Sequence, residues 1–290
     1  MEKAAPKKKV GLALGGGGAK GLAHIGVIKE LERAGVEISF IAGTSMGALV
    51  GAWYAATKDI RALEELFLSV SSDDVVPVHK LVRKQDGNIF KDPSIPAFYE
   101  SRIGAISFDE CKIPFKATAT DAKNGDLVIL DKGNVMDAVR ASTALPIVFK
   151  PVMIDGKMLM DGGFVNPVPA DIVKGMGADF VIAVDVSSKW TDFSEQHLMD
   201  MLHVYGLVSH ALSVIEYQIA KRVLAESADV VMNPPVLSYH WMEFGNARDI
   251  IRCGAREAHS HLAEIYKGAN HTPREKSSFE KFMDFILYTE

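Results

Sequence analysis

The chain has 290 residues, 48% hydrophobic and 24% charged, which suits one large α/β domain with a substantial buried core. A net charge of −5 excludes the global basic field of a nucleic-acid binder, and the basic cluster Lys7–Lys9 reads as a solvated N-terminal arm. Two distant cysteines, Cys111 and Cys253, form no CxxC, and the nine histidines form no HExxH; neither a metal nor another cofactor is expected, and a reducing, cytoplasmic setting fits.

In chain order, Val10–Leu14 reads as a short buried strand, followed by the glycines of "GGGGAKG". Charges before an apolar run mimic a secretory signal there, but four glycines make a poor apolar helix and Lys20 interrupts it. Leu22, Ile25, Ile28 and Leu31 then mark one helical face, ended by Gly35. Ile38–Ala42 reads as a second buried strand, and a second helix begins near Met46. The uncharged run from Ile38 to Thr57 is long enough to suggest a membrane span, but Gly43, Thr44, Ser45 and Gly47 break it near its start. A strand, a turn and a buried helix explain it better. Strand, helix, strand, helix in this order indicates a mostly parallel central sheet flanked by helices.

Asp59–Val70 reads as a third helix. Residues 71–107 carry Pro77, Pro93 and Pro96 and little periodicity, as either a lid over a site or a long connection would. Two hairpins are expected, turning at Asn124-Gly125 and at Asp155-Gly156. Val135–Ser142 reads as a short helix, Asp179–Val186 as a strand and Glu195–Glu226 as a long helix. "DVVMNP" reads as a last short strand and Ala247–Tyr266 as a helix. No repeat or linker divides the chain, so one domain is expected over 1–290, with a core of about 9–235 and a helical C-terminal appendage of about 236–290.

Gly43-Thr44-Ser45-Met46-Gly47 is a GxSxG between a predicted strand and a predicted helix. Its glycines permit a sharp reversal that exposes Ser45 at a helix N-terminus, where free N–H groups favour developing negative charge. A serine hydroxyl needs a base. His24, His197, His203 and His210 all fall within predicted helices and read as structural histidines. Asp161, before Gly162-Gly163, can present a carboxylate at a strand end, although Asp-Gly is also an ordinary turn. Gly15–Gly21 lies after the first strand, at the same end of the sheet as Ser45, where backbone N–H groups can point at a phosphate or at the oxyanion of an acyl-transfer intermediate.

These residues together resemble the patatin-like phospholipases. Gly16-Gly17-Gly18-Ala19-Lys20-Gly21 is similar to that family's GGGx[RK]G oxyanion motif, and Gly43–Gly47 to its GxSxG. Ala141–Pro146, "ASTALP", resembles its ASxxxP block and Asp161-Gly162-Gly163 its DG[GA]. The four stand in the family's order over residues 16–163, and the length most resembles the bacterial single-domain members, similar to the catalytic domain of neuropathy target esterases. The resemblance implies a three-layer α/β/α fold and a Ser45–Asp161 dyad without a catalytic histidine. It implies an oxyanion hole of the Gly16, Gly17 and Gly18 N–H groups, joined by Met46, with Lys20 at the motif's basic position. The implied partner is a lipid or phospholipid ester, with no cofactor, and peripheral membrane contact is left open.

Other readings compete. Gly16-x-Gly18-x-x-Gly21 satisfies the dinucleotide-binding GxGxxG, but no acidic residue ends the second strand to hold a ribose. An α/β-hydrolase would need more sheet upstream of Ser45. A serine acyltransferase would share the acyl-enzyme, and a non-catalytic lipid-binding descendant is disfavoured by the intact Ser45 and Asp161. Phe279, Phe282, Met283 and Ile286 repeat at helical spacing, as a core or subunit contact more than a lipid anchor.

Overall fold

The computed structural model describes residues 6–69, 104–146, 149–187 and 204–274. Most of the segment expected as a lid, the start of the expected long helix and the stripe Phe279, Phe282, Met283 and Ile286 lie outside these residues.

The first half of the sheet comes from β1 (Val10–Leu14), β2 (Ile38–Gly43), β3 (Phe115–Asp121) and β4 (Leu127–Leu130). It is completed by β5 (Val152–Ile154), β6 (Lys157–Asp161), β7 (Phe180–Val184) and β8 (Val230–Met232). The spatial order is β5-β6-β3-β2-β1-β7-β8, with β4 also paired to β3. Pairs β1–β2, β1–β7, β2–β3 and β7–β8 are parallel, and the two hairpins join antiparallel through β3. The described helices are α1 (Ala23–Arg33), α2 (Met46–Thr57), α3 (Ile60–Ser69), α4 (Val135–Ser142), α5 (Ala170–Gly175), α6 (Val204–Ser227) and α7 (Ala247–Gly268). The sequence reading passed over α5, whose six residues are too few to show a helical period.

Alternation along the central strands separates two cores. Val10, Leu12 and Leu14 of β1 and Phe180, Ile182 and Val184 of β7 pack with α1, α2, α3, α4 and α7. Ala13, Val181 and Ala183 face the other way, onto Ile172 and Val173 of α5 and Ala220 and Leu224 of α6. A strand buried on both faces cannot alternate apolar with polar, which is why these runs are continuously hydrophobic. The C-terminal helix α7 packs on α1, where His259 Nδ1 meets Glu30 Oε1 at 2.7 Å and the Tyr266 hydroxyl donates to the Ala34 carbonyl at 3.0 Å.

The uncharged run from Ile38 to Thr57 is β2 followed by α2. Met46 to Ala56 is buried throughout, so α2 is apolar on every side because protein surrounds it. Twelve residues of helix reach only about 18 Å, short of the roughly 30 Å of a bilayer's hydrocarbon. No described helix is long and apolar enough to cross a membrane.

Leu12 is completely buried in the middle of β1, whereas Ile129 on the β3–β4 hairpin is 43% exposed. Leu12→Ala is therefore expected to cost about 2–5 kcal/mol in urea unfolding and Ile129→Ala under roughly 0.5 kcal/mol. Equal costs would show that β1 is not at the centre of the core.

Candidate active site

The register of the parallel strands brings the first two βα turns together. Leu14 at the end of β1 stands opposite Gly43 at the end of β2, and the Thr44 N–H donates to the Leu14 carbonyl at 3.0 Å. The chain then reverses at Ser45, whose φ of 53° and ψ of −123° lie where few side-chain-bearing residues are found. Such a conformation costs on the order of 1–3 kcal/mol and persists only when its surroundings hold it. The Ser45 N–H donates to Ser142 Oγ at 2.9 Å, and the Thr44 hydroxyl donates to the Asn166 carbonyl at 2.8 Å. Since Thr44 spends its proton there, the Thr118 hydroxyl donates to Thr44 Oγ1 across 2.7 Å. A β-carbon on Gly47 would fall 2.1 Å from the Leu14 carbonyl oxygen, so no larger residue allows α2 to start this close to β1.

Asp161 arrives from the other side. Strand β3 runs on past the end of β2, and this overhang carries β6, with Asp161 opposite Ala119. The Asp161 N–H donates to the Ala144 carbonyl at 3.0 Å, and its own carbonyl accepts from the Thr120 hydroxyl at 2.7 Å. The side chain is held just as closely: Oδ1 accepts from the Gly163 N–H at 2.8 Å and Oδ2 from the Ser45 hydroxyl at 2.7 Å. Only 5% of Asp161 is exposed. Burial pushes its carboxyl up to about 6, against the opposing pull of the Gly163 and Ser45 hydrogen bonds. Asp161 is thus still largely ionised at neutral pH, yet much more basic than a solvated carboxylate.

The glycine-rich loop lies alongside Ser45: a β-carbon on Gly16 would sit 3.3 Å from that of Ser45. One expected oxyanion donor is corrected here. The Gly16 N–H already donates to the Pro167 carbonyl at 3.0 Å, and a single N–H so committed is not available to an oxyanion. No protein acceptor for the N–H groups of Gly17, Gly18 or Met46 occurs among the described residues. Gly18 has φ of 57°, and a β-carbon there would meet the Trp241 carbonyl oxygen at 2.3 Å. The loop is fastened to that same carbonyl by the Ala19 N–H at 2.6 Å.

Lys20 does not face open solvent. Burial lowers its pKa, and the neighbouring Glu216 carboxylate opposes that effect. His24 lies wholly buried beneath the loop, with Nε2 at 2.7 Å from the Gly15 carbonyl. Burial drops its pKa to about 4, so the ring is neutral and Nε2–H is the donor, leaving Nδ1 without a partner among the described residues. His24 braces the loop and does not reach Ser45.

Sequence reasoning missed three of these residues. Ser142 stood inside the quoted "ASTALP" with no role attached. Thr118 offered no signal, since a threonine in a strand is unremarkable. Glu216 did offer one, because no other Asp, Glu, Lys or Arg occurs between Asp200 and Lys221.

The patatin-like phospholipase family model matches residues 12–174, more than half of the chain. The lysophospholipase nte1 of Aspergillus fumigatus is 29% identical over 276 residues, covering 85% of this chain and 18% of that protein. The uncharacterised NTE family protein Rv1063c of Mycobacterium tuberculosis is 37% identical over 181 residues, covering 62% of this chain and 49% of that one. The chain therefore spans less than a fifth of the fungal relative and about half of the mycobacterial one. Among solved structures, VipD of Legionella pneumophila shares the fold, with a TM-score of 0.52 at 15% identity over 90% of this chain and 68% of that one. The match over residues 12–174 takes in the glycine-rich loop, the serine elbow and Asp161, and the chain belongs to the patatin-like phospholipase family.

Proposed function

We propose that this chain hydrolyses carboxylic ester bonds of lipids, with Ser45 as nucleophile and Asp161 as the base that activates it. The observation that carries this reading is the 2.7 Å hydrogen bond from the Ser45 hydroxyl to Asp161 Oδ2, made at a strained strand-to-helix turn. A structural serine has no need of such a turn, and a turn-forming aspartate has no need of burial. Phospholipid and lysophospholipid esters are the favoured substrates, because the fungal relatives with which the chain aligns are named lysophospholipases.

The chemistry follows from the geometry. As Ser45 Oγ attacks the ester carbonyl carbon, its proton passes to Asp161 Oδ2 along the existing hydrogen bond. The carbonyl oxygen becomes an oxyanion that the N–H groups of Gly17, Gly18 and Met46 stabilise, helped by the positive end of α2. Collapse of this intermediate expels the alcohol, which takes the proton back from Asp161. Water then attacks the acyl-enzyme with Asp161 again as base, releasing the fatty acid and restoring Ser45. Asp161 serves both directions because its proton affinity lies close to neutrality.

On a short-chain p-nitrophenyl ester, Ser45→Ala is expected to lower kcat/KM at least about 10³-fold and Asp161→Asn about 10²- to 10⁴-fold. Both variants should keep the wild-type circular dichroism spectrum, and hydrolysis surviving Ser45→Ala would sink the nucleophile assignment. Because Asp161 must be ionised to accept the proton, kcat/KM should fall about tenfold per pH unit once the pH drops well below roughly 6. A profile flat down to pH 4.5 would require a base with an ordinary carboxylate pKa.

A further inference from the structure

One half-buried carboxylate beside the Ser45–Asp161 pair has no part in the proposed mechanism. Glu216 projects from α6 towards the turn that follows β6. The point that a β-carbon on Gly163 would occupy is 3.1 Å from Glu216 Oε1 and 3.2 Å from Asp161 Oδ1. The two carboxylates thus flank one glycine and share the space beside it. Lys20, on the glycine-rich loop, and Asp185, just beyond β7, also act electrostatically on Glu216. Asp185 Oδ1 itself accepts from the Ser187 N–H at 2.8 Å. Four parts of the chain therefore bring three acidic groups and one ammonium to the same side of the site.

We propose that Glu216 is a positioning residue of the Ser45–Asp161 pair, whose charge, set between Asp161 and Lys20, tunes how strongly Asp161 holds the proton it takes from Ser45. The proposal rests on the ester-hydrolase reading and deepens it. An ionised Glu216 adds negative charge beside Asp161 and makes it the stronger base, while Lys20 limits that effect by stabilising the Glu216 charge. During attack, Asp161 becomes neutral as it gains the serine proton, which relieves its repulsion with Glu216. The pair is therefore better accommodated in the transition state than in the resting enzyme, as a catalytic contribution requires.

Burial pushes Glu216 up to about 7, with further upward contributions from Asp161 and Asp185 and an opposing one from Lys20. The charge on either carboxylate opposes ionisation of the other, so the pair gives up its two protons in separate steps. Two coupled steps should then appear in any property that reports on Asp161. A carboxylate present only to pack α6 against the site would produce one.

The test is a pH titration of the full chain carrying ¹³C-labelled Asp and Glu carboxyl groups, followed by NMR, beside pH profiles of kcat/KM on the p-nitrophenyl ester. The Glu216 resonance is the one lost in Glu216→Gln. Its midpoint is expected to fall by about one pH unit in Asp161→Asn, where the neighbouring charge is gone, and to rise in Lys20→Met. The acid limb of kcat/KM should show two inflections in wild type and one in Glu216→Gln. A Glu216 midpoint that Asp161→Asn leaves in place would overturn the proposal. So would a folded Glu216→Gln enzyme that loses the same factor of activity at every pH, the mark of a purely structural role. Absence of ester turnover in wild type would instead remove the hydrolase reading, and the NMR midpoints would still decide whether the pair is coupled.

Discussion

Everything at the site depends on the parallel pairing of β1 with β2, which ends both strands at one level, Leu14 opposite Gly43. Two turns must then leave the sheet within hydrogen-bonding distance of each other. One is the glycine-rich loop, and the other carries Ser45 in a conformation that a free chain would not adopt. The contacts restraining that conformation come from four different segments: Leu14, Thr118, Ser142 and Asn166. Each is a backbone or hydroxyl hydrogen bond in a buried setting, where leaving a partner unmade is costly. The strain at Ser45 is thus maintained by the fold and aims the hydroxyl at Asp161.

The second strand pair of consequence is antiparallel. Because β3 extends beyond β2, a hairpin strand can pair with the overhang and deliver its last residue next to the serine. Asp161 is that residue, and its backbone is tied at both N–H and carbonyl so that the carboxylate has little freedom. Geometry and electrostatics act together here. Removal from water raises the proton affinity of Asp161, while the Ser45 and Gly163 donors keep it mostly ionised at neutral pH. The proposed dyad needs this compromise, since a solvated carboxylate is too weak a base for a serine hydroxyl and an unsupported buried one is already protonated.

The glycine-rich loop illustrates how backbone accounting divides equivalent-looking residues. Gly16, Gly17 and Gly18 are adjacent and alike in sequence, yet the Gly16 N–H is absorbed by the Pro167 carbonyl and the next two have no acceptor among the described residues. His24 and Trp241 anchor the loop: the His24 ring donates to the Gly15 carbonyl, and the Trp241 carbonyl accepts from the Ala19 N–H. A loop so anchored holds its N–H groups in fixed positions, which is what the proposed electrostatic stabilisation of an oxyanion requires.

Much of this was legible in the residues alone. Continuous apolar runs such as Val10–Leu14 mark strands covered on both faces, because only such strands exclude polar residues altogether. Asn124-Gly125 and Asp155-Gly156 mark hairpin turns, because these residue pairs tolerate positive φ. GTSMG between a strand and a helix marks an elbow, and the spacing of the four motifs marks the family. The sequence by itself therefore determined most of the elements, their mostly parallel arrangement and the choice of Ser45 and Asp161 as candidates, since each rests on local backbone preference or on a short motif. Only the tertiary structure decided which of three adjacent glycines gives its N–H to a protein carbonyl, and that Ser142, Thr118 and His24 support the site. It alone brought Glu216 beside Asp161 and Lys20. These outcomes depend on distances between segments up to about two hundred residues apart in sequence, fixed by strand register and helix packing, and no local pattern records them.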